Sequence, residues 1–129
     1  MLHRVIYSSE AVGATGASAL SVAQTLGVSG SNNRRDHITS CLMFHEGQIL
    51  QVTEGARIDL DRLLRPILAD PRHTDVRVLS DTPITARRLG EPVCLCGDPV
   101  SLLERAGLSS ISRLTSNDAE AMLDFREAA

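Results

Sequence analysis

Leu60, Leu63, Leu64, Ile67 and Leu68 fall at i, i+3, i+4, i+7 and i+8, the spacing of one apolar face on an α-helix. A helix patterned this way has to lay its face on an apolar surface, and its neighbours in the chain read as strands. Residues 38–45 and 48–54 form a hairpin pattern across Glu46-Gly47. Residues 2–8 carry the β-branched and aromatic mixture of a first strand, with Val5 and Tyr7 on one face and Arg4 and Ile6 on the other. Residues 76–81 and 87–96 read as two further strands, with Pro83 near the turn between them. Pro92 demotes the second of these to an edge strand or a broken one. Pro66 lies inside the helical pattern, where it removes a backbone donor and is expected to kink the last turns.

A weaker apolar stripe, Ala19, Leu20, Ala23 and Leu26, predicts an earlier helix over residues 18–26, ended by glycine and serine at 27–30. Short helical pieces over residues 100–106 and 118–126 close the chain, with Ser116-Asn117-Asp118 offering caps for the second. The order β-α-β-β-α-β-β predicts a ferredoxin-like α+β sandwich. Its five-stranded mixed sheet would carry two helices on one face, followed by a C-terminal helical segment. Residues 1–97 form the expected domain and residues 98–129 a helical extension.

At 129 residues the chain fits one domain able to bury a core. Only 2% of its residues are aromatic and none is tryptophan, so Leu, Val, Ile and Ala must fill that core. Few rings are left to stack on bases, and the net charge of -3 argues against a broad nucleic-acid footprint. Arg34-Arg35 and Arg87-Arg88 are short pairs of the kind that line solvated surfaces. No apolar run reaches the ~20 residues of a membrane span, and no signal peptide opens the sequence. A cytoplasmic protein is therefore expected. Cys41, Cys94 and Cys96 make no disulfide framework and no tetrahedral metal set. His3, His37 and His45 have no carboxylate or cysteine at ligand spacing and read as structural.

One residue sits awkwardly in this scheme. Gln51 lies in the middle of the strand Gly47-Gln48-Ile49-Leu50-Gln51-Val52-Thr53-Glu54-Gly55. A primary amide left without partners in a core costs about 1–3 kcal/mol. If the first and third strands are neighbours, the Tyr7 phenol could donate to that amide and satisfy both groups. Such a pair can also serve only to fix strand register.

Several stretches together resemble the BLUF domains, flavin-binding sensors of blue light. They are Ile6-Tyr7-Ser8-Ser9, then Asn32-Asn33-Arg34-Arg35-Asp36-His37-Ile38-Thr39, then Leu50 to Gly55. Asp70-Pro71-Arg72-His73-Thr74-Asp75-Val76 and Pro83-Ile84-Thr85-Ala86-Arg87-Arg88 follow in order. Each is weak alone, whereas five in sequence over about the first 97 residues are specific. The resemblance implies a bound flavin, FAD with FMN as the alternative. It implies Tyr7 as photochemical donor, Gln51 between Tyr7 and the ring, and Asn33 on the pyrimidine edge. Asp70, Arg72 and His73 would flank that edge.

The sequence departs from the family pattern mainly after Arg88. Leu89, Pro92 and Cys94 stand where the family has an aromatic, a tryptophan and a methionine. That region is associated in the family with signal output, and this chain lacks its usual residues. Ser40 replaces a family glycine, and the stretch before Asn33 is two residues longer. The chain is thus read as a sensor and not an enzyme, acting through a downstream protein and compatible with homo-oligomers. With about 30 residues after the sensor, no effector module is expected. A flavin-free interaction module on the same fold is the first alternative. An acylphosphatase-like hydrolase would need a phosphate-holding Arg/Asn loop, and none is evident.

Overall fold

The computed structural model describes residues 2–11, 35–69, 73–90, 94–95, 98–108 and 110–128. Strand β1 spans Leu2–Ala11, β2 spans Thr39–His45 and β3 spans Gln48–Ala56. Helix α1 follows at Arg57–Leu68, then β4 at His73–Ile84 and a two-residue β5 at Cys94–Leu95. Helices α2 (Pro99–Arg105) and α3 (Ser116–Ala128) flank a short 3-10 turn at Ile111–Arg113. The strands lie in the order β4-β1-β3-β2-β5. The four longer ones pair antiparallel, and β5 pairs parallel with β2 at the edge.

Side-chain alternation along the strands divides the core in two. Val5, Tyr7, Leu42 and Ile49 point to one face, where Leu60 and Leu64 of α1 cover them together with Ile38. Ile6, Met43, Leu50 and Val52 point to the other face. There they meet Leu89, Leu103, Ile111, Leu114, Ala119 and Met122. The sequence assigned the C-terminal segment no place on the sheet; it forms the layer opposite α1. Because both faces are covered, β3 is buried continuously from Ile49 to Gly55.

The local signals act largely as expected. In α1, Leu60 and Leu64 are buried, whereas Leu68 at the end of the stripe is 37% exposed. Pro66 lies within α1, which continues to Leu68. Asp98 caps α2 by accepting from the Ser101 amide at 3.1 Å, and Pro99 occupies the first turn, where its missing donor is harmless. The cap of α3 starts one residue earlier than expected. Thr115 Oγ1 accepts from the Asp118 amide, and Asp118 Oδ2 accepts from the Thr115 amide.

Two strand assignments need correction. β4 is longer than residues 76–81 and runs through Pro83, which pairs with His3. β4 is an edge strand, the place in a sheet where proline is tolerated. Of the strand expected over residues 87–96, residues 87–90 are not strand, and Cys94–Leu95 is the strand among the described residues. The first part of that stretch is held by side chains instead of by a ladder: the Arg88 and Leu89 amides both donate to Glu54 Oε1. The predicted helix over residues 18–26 and Pro92 lie outside the described residues.

The β2–β3 hairpin turns in two residues, both with positive φ: Glu46 at 50° and Gly47 at 79°. This twist suits a tight hairpin, but glutamate occupies a position that asparagine or glycine takes at less cost. Glu46→Asn is expected to raise stability by about 0.5–1 kcal/mol, read as a higher urea midpoint with an unchanged slope.

Candidate functional site

Tyr7 and Gln51 are directly opposed across the β1–β3 ladder, and both side chains are 0% exposed. The Tyr7 hydroxyl donates to Gln51 Oε1 at 2.5 Å. The pairing anticipated from the sequence therefore forms, on the face covered by α1. Its surroundings are apolar: Val5, Ile38, Leu42, Ile49, Leu60 and Leu64. Next along β3, buried Thr53 donates to the Val5 carbonyl at 3.1 Å, so its hydroxyl is tied to the sheet.

Tyrosine satisfies only one end of the amide. Among the described residues, Gln51 Nε2 is buried and has no hydrogen-bond partner. Which end is nitrogen follows from the bond that Tyr7 makes, since a phenol proton requires an acceptor. An orphaned buried donor costs about 1–3 kcal/mol, so it needs an explanation. A ligand bearing an acceptor would supply one, and a flat, largely apolar ring with acceptor atoms on one edge suits these walls. The residues present thus fit a flavin.

Burial raises the Tyr7 phenol well above its ordinary value, so it stays protonated throughout the physiological range. A phenol kept neutral and bonded to an amide oxygen is a proton source with a defined path.

The other residues implied by the resemblance are placed less fully. His73 opens β4 opposite Ala11, beyond the end of the Tyr7 pair. Asn33, Asp70 and Arg72 lie outside the described residues. His3, read as structural, has a buried Nδ1 without a partner and lies on the Tyr7 side of β1. Arg4 and Glu54 were not singled out in the sequence, yet they form a buried ion pair on the opposite face at 2.7 Å. Their local signal is weak: Arg4 stands between His3 and Val5, and Glu54 between Thr53 and Gly55.

Comparison with known proteins fits this geometry. The family model described as "Sensors of blue-light using FAD" matches residues 2–91. Over 90 residues the chain is 33% identical to the photoactivated adenylate cyclase subunit beta of Euglena gracilis, covering 70% of this chain and 10% of that protein. The chain thus spans about a tenth of the length of the curated relatives it matches. Among solved structures, BlrB, a BLUF protein in its dark state, is similar with a TM-score of 0.72 and 28% identity. That match covers 95% of this chain and 96% of BlrB. Klebsiella pneumoniae BlrP1 with FMN and cyclic diGMP is similar at a TM-score of 0.64 and 30% identity, over 74% of this chain and 26% of that one. Among the described residues no helix is long and apolar enough to cross a membrane.

The buried phenol has a measurable consequence in alkali. Its folded value is raised above the unfolded one, so its contribution to stability is full below pH ~10 and declines as pH rises beyond it. Tyr7 is the only tyrosine and there is no tryptophan, so ultraviolet tyrosinate absorbance reports this one group. Tyrosinate is expected to appear only together with loss of far-ultraviolet circular dichroism, not before it.

Proposed function

The chain belongs to the BLUF family, the sensors of blue light using FAD, and on that premise we propose that Tyr7 and Gln51 form its light-driven hydrogen-bond switch. The observation that carries the reading is the half-satisfied amide: Gln51 takes the Tyr7 proton donor at one end and leaves its other end free for a ligand. FAD is the proposed cofactor, with FMN as the alternative. Asn33, Asp70, Arg72 and His73 are proposed to complete its contacts, alongside Gln51.

A bound flavin supplies the absorption of blue light and, once excited, the oxidising power. The chain's own residues then manage a proton. Tyr7 holds it on the phenol oxygen, and the bond to Gln51 Oε1 is the path along which it moves. Gln51 can return from that transfer rotated or as a tautomer, with a different donor facing the ligand side. Apolar neighbours keep water from competing for these bonds. The outcome is an altered hydrogen-bond pattern without turnover, the behaviour of a sensor and not of an enzyme.

The strand order β4-β1-β3-β2 supports the ferredoxin-like βαββαββ reading, with the earlier helix assigned to residues 18–26. Residues 1–97 are proposed as the sensor and residues 98–129 as its helical extension. The response would pass to a downstream protein in the cytoplasm, and a homo-oligomer is compatible with it.

Absorption spectra before and after blue light test this. The purified or reconstituted protein is expected to show a flavin spectrum that shifts slightly and reversibly to the red. Tyr7→Phe is expected to keep the flavin and lose the shift. A wild-type shift in that variant would defeat the assignment, and mass analysis of released flavin separates FAD from FMN.

A further inference from the structure

The two strands that hold Tyr7 and Gln51 carry a second directly opposed polar pair, Arg4 and Glu54, three positions away on each strand. Odd spacing puts this pair on the other face. Arg4 is 7% exposed and Glu54 0%. Glu54 Oε2 receives Arg4 Nε at 2.9 Å and Arg4 Nη2 at 2.7 Å. Glu54 Oε1 receives the Arg88 and Leu89 amides at 2.9 and 2.8 Å. Both oxygens of this carboxylate are engaged by the guanidinium or by backbone amides, which is what tolerates its charge in the core.

Arg4 also reaches beyond the sheet. Its Nη1 donates to Glu120 Oε2 at 2.9 Å, and Ser80 of β4 donates to Glu120 Oε1 at 2.9 Å. Glu120 lies on α3 between Ala119 and Met122, both packed into the cluster of Ile6, Met43, Leu50 and Val52. One guanidinium therefore joins the strand of Gln51 to the helix covering the far face. The two links differ in strength: the Glu120 side chain is 33% exposed, whereas that of Glu54 is fully buried. Water can replace the first partner at modest cost and cannot reach the second.

We propose that Glu54 and Arg4 carry the light response of Gln51 through the sheet to Glu120, releasing α3 from the far face. The proposal rests on the photosensory reading above. A change in the bonds of Gln51 shifts β3 against β1, and the opposed pair three positions on transmits the shift to Arg4. The Arg4–Glu120 contact gives first, because it is the most solvated link. Release of α3 uncovers part of the apolar cluster beneath Ala119 and Met122, a surface that a partner can take.

Hydrogen exchange on the full chain loaded with FAD, in the dark and under blue light, tests the relay. In the wild type, exchange of α3 amides is expected to rise about fivefold in the light. Glu120→Gln is expected to raise α3 exchange already in the dark and bring the light-to-dark ratio near one, with the flavin red shift unchanged. Ser80→Ala keeps every charge and is expected to act in the same direction, more weakly, should Glu120→Gln fail to fold. A red shift in the wild type with no change in α3 exchange would overturn the relay and leave the sensor reading intact. So would a full wild-type ratio in Glu120→Gln. No red shift in the wild type would overturn the sensor reading, and the relay with it.

Discussion

The pairing of β1 with β3 is the contact on which the rest of the molecule depends. These are the two inner strands of the four-stranded antiparallel part of the sheet, and residues 2–10 of β1 directly face residues 56–48 of β3. Two of those facing pairs are polar and buried on both sides. Tyr7 with Gln51 serves the α1 face, and Arg4 with Glu54 serves the face under α2 and α3. A slip of one residue in this ladder would turn every side chain to the wrong face. It would strand a phenol, an amide, a guanidinium and a carboxylate in apolar surroundings at once. The polar pairs therefore specify register more sharply than an apolar ladder of the same length would.

That specificity has an energetic cost that the protein bears unequally. On the far face the polar groups are well partnered: the Glu54 carboxylate accepts three hydrogen bonds and makes a further ion-pair contact, and Arg4 is shared between two carboxylates. On the α1 face the account is left open, with one amide nitrogen buried and unpartnered. A fold selected for stability alone would place a leucine at Gln51. Retaining a donor with nothing to bind makes sense when a ligand completes it, which is the condition the proposed flavin meets. The segment after β4 shows the same economy of means. Residues 88 and 89 are fixed by a carboxylate accepting their amides, and Leu89 is thereby delivered into the core.

What could be read from the sequence follows from how local each determinant is. The period-two faces of β1 and β3, the stripe of α1 and the tight turn at Glu46-Gly47 are properties of adjacent residues, and they appear as expected. The Tyr7–Gln51 contact needed only the assumption that the first and third strands are neighbours. Pro92 signalled an edge or broken fifth strand locally, but what holds residues 88 and 89 could not be read so, because it lies at Glu54, far back in the chain. Glu54 itself looked like the polar end of a strand flanked by glycine, and only the tertiary pairing shows it as fully buried. The position of residues 98–128 was equally hidden: short amphipathic pieces do not state which face of a sheet they will cover.

The division of charge between the two faces bears on how they can communicate. A lone carboxylate across the sheet from Tyr7, at a separation on the order of 10 Å and an effective dielectric near 20, would change the energy of the phenolate by ~1.7 kcal/mol. That is more than one pKa unit, enough to compete with burial in setting the phenol's proton affinity. Arg4 closes the pair on Glu54, so most of that field cancels, and burial remains the cause that raises the Tyr7 phenol. The leftover negative charge of the cluster sits on Glu120, the member nearest water, where solvent screens it. The two faces are thus electrically quiet toward each other. Coupling between them has to pass through the geometry of β1 and β3, where a displacement at Gln51 and a displacement at Glu54 are movements of one strand.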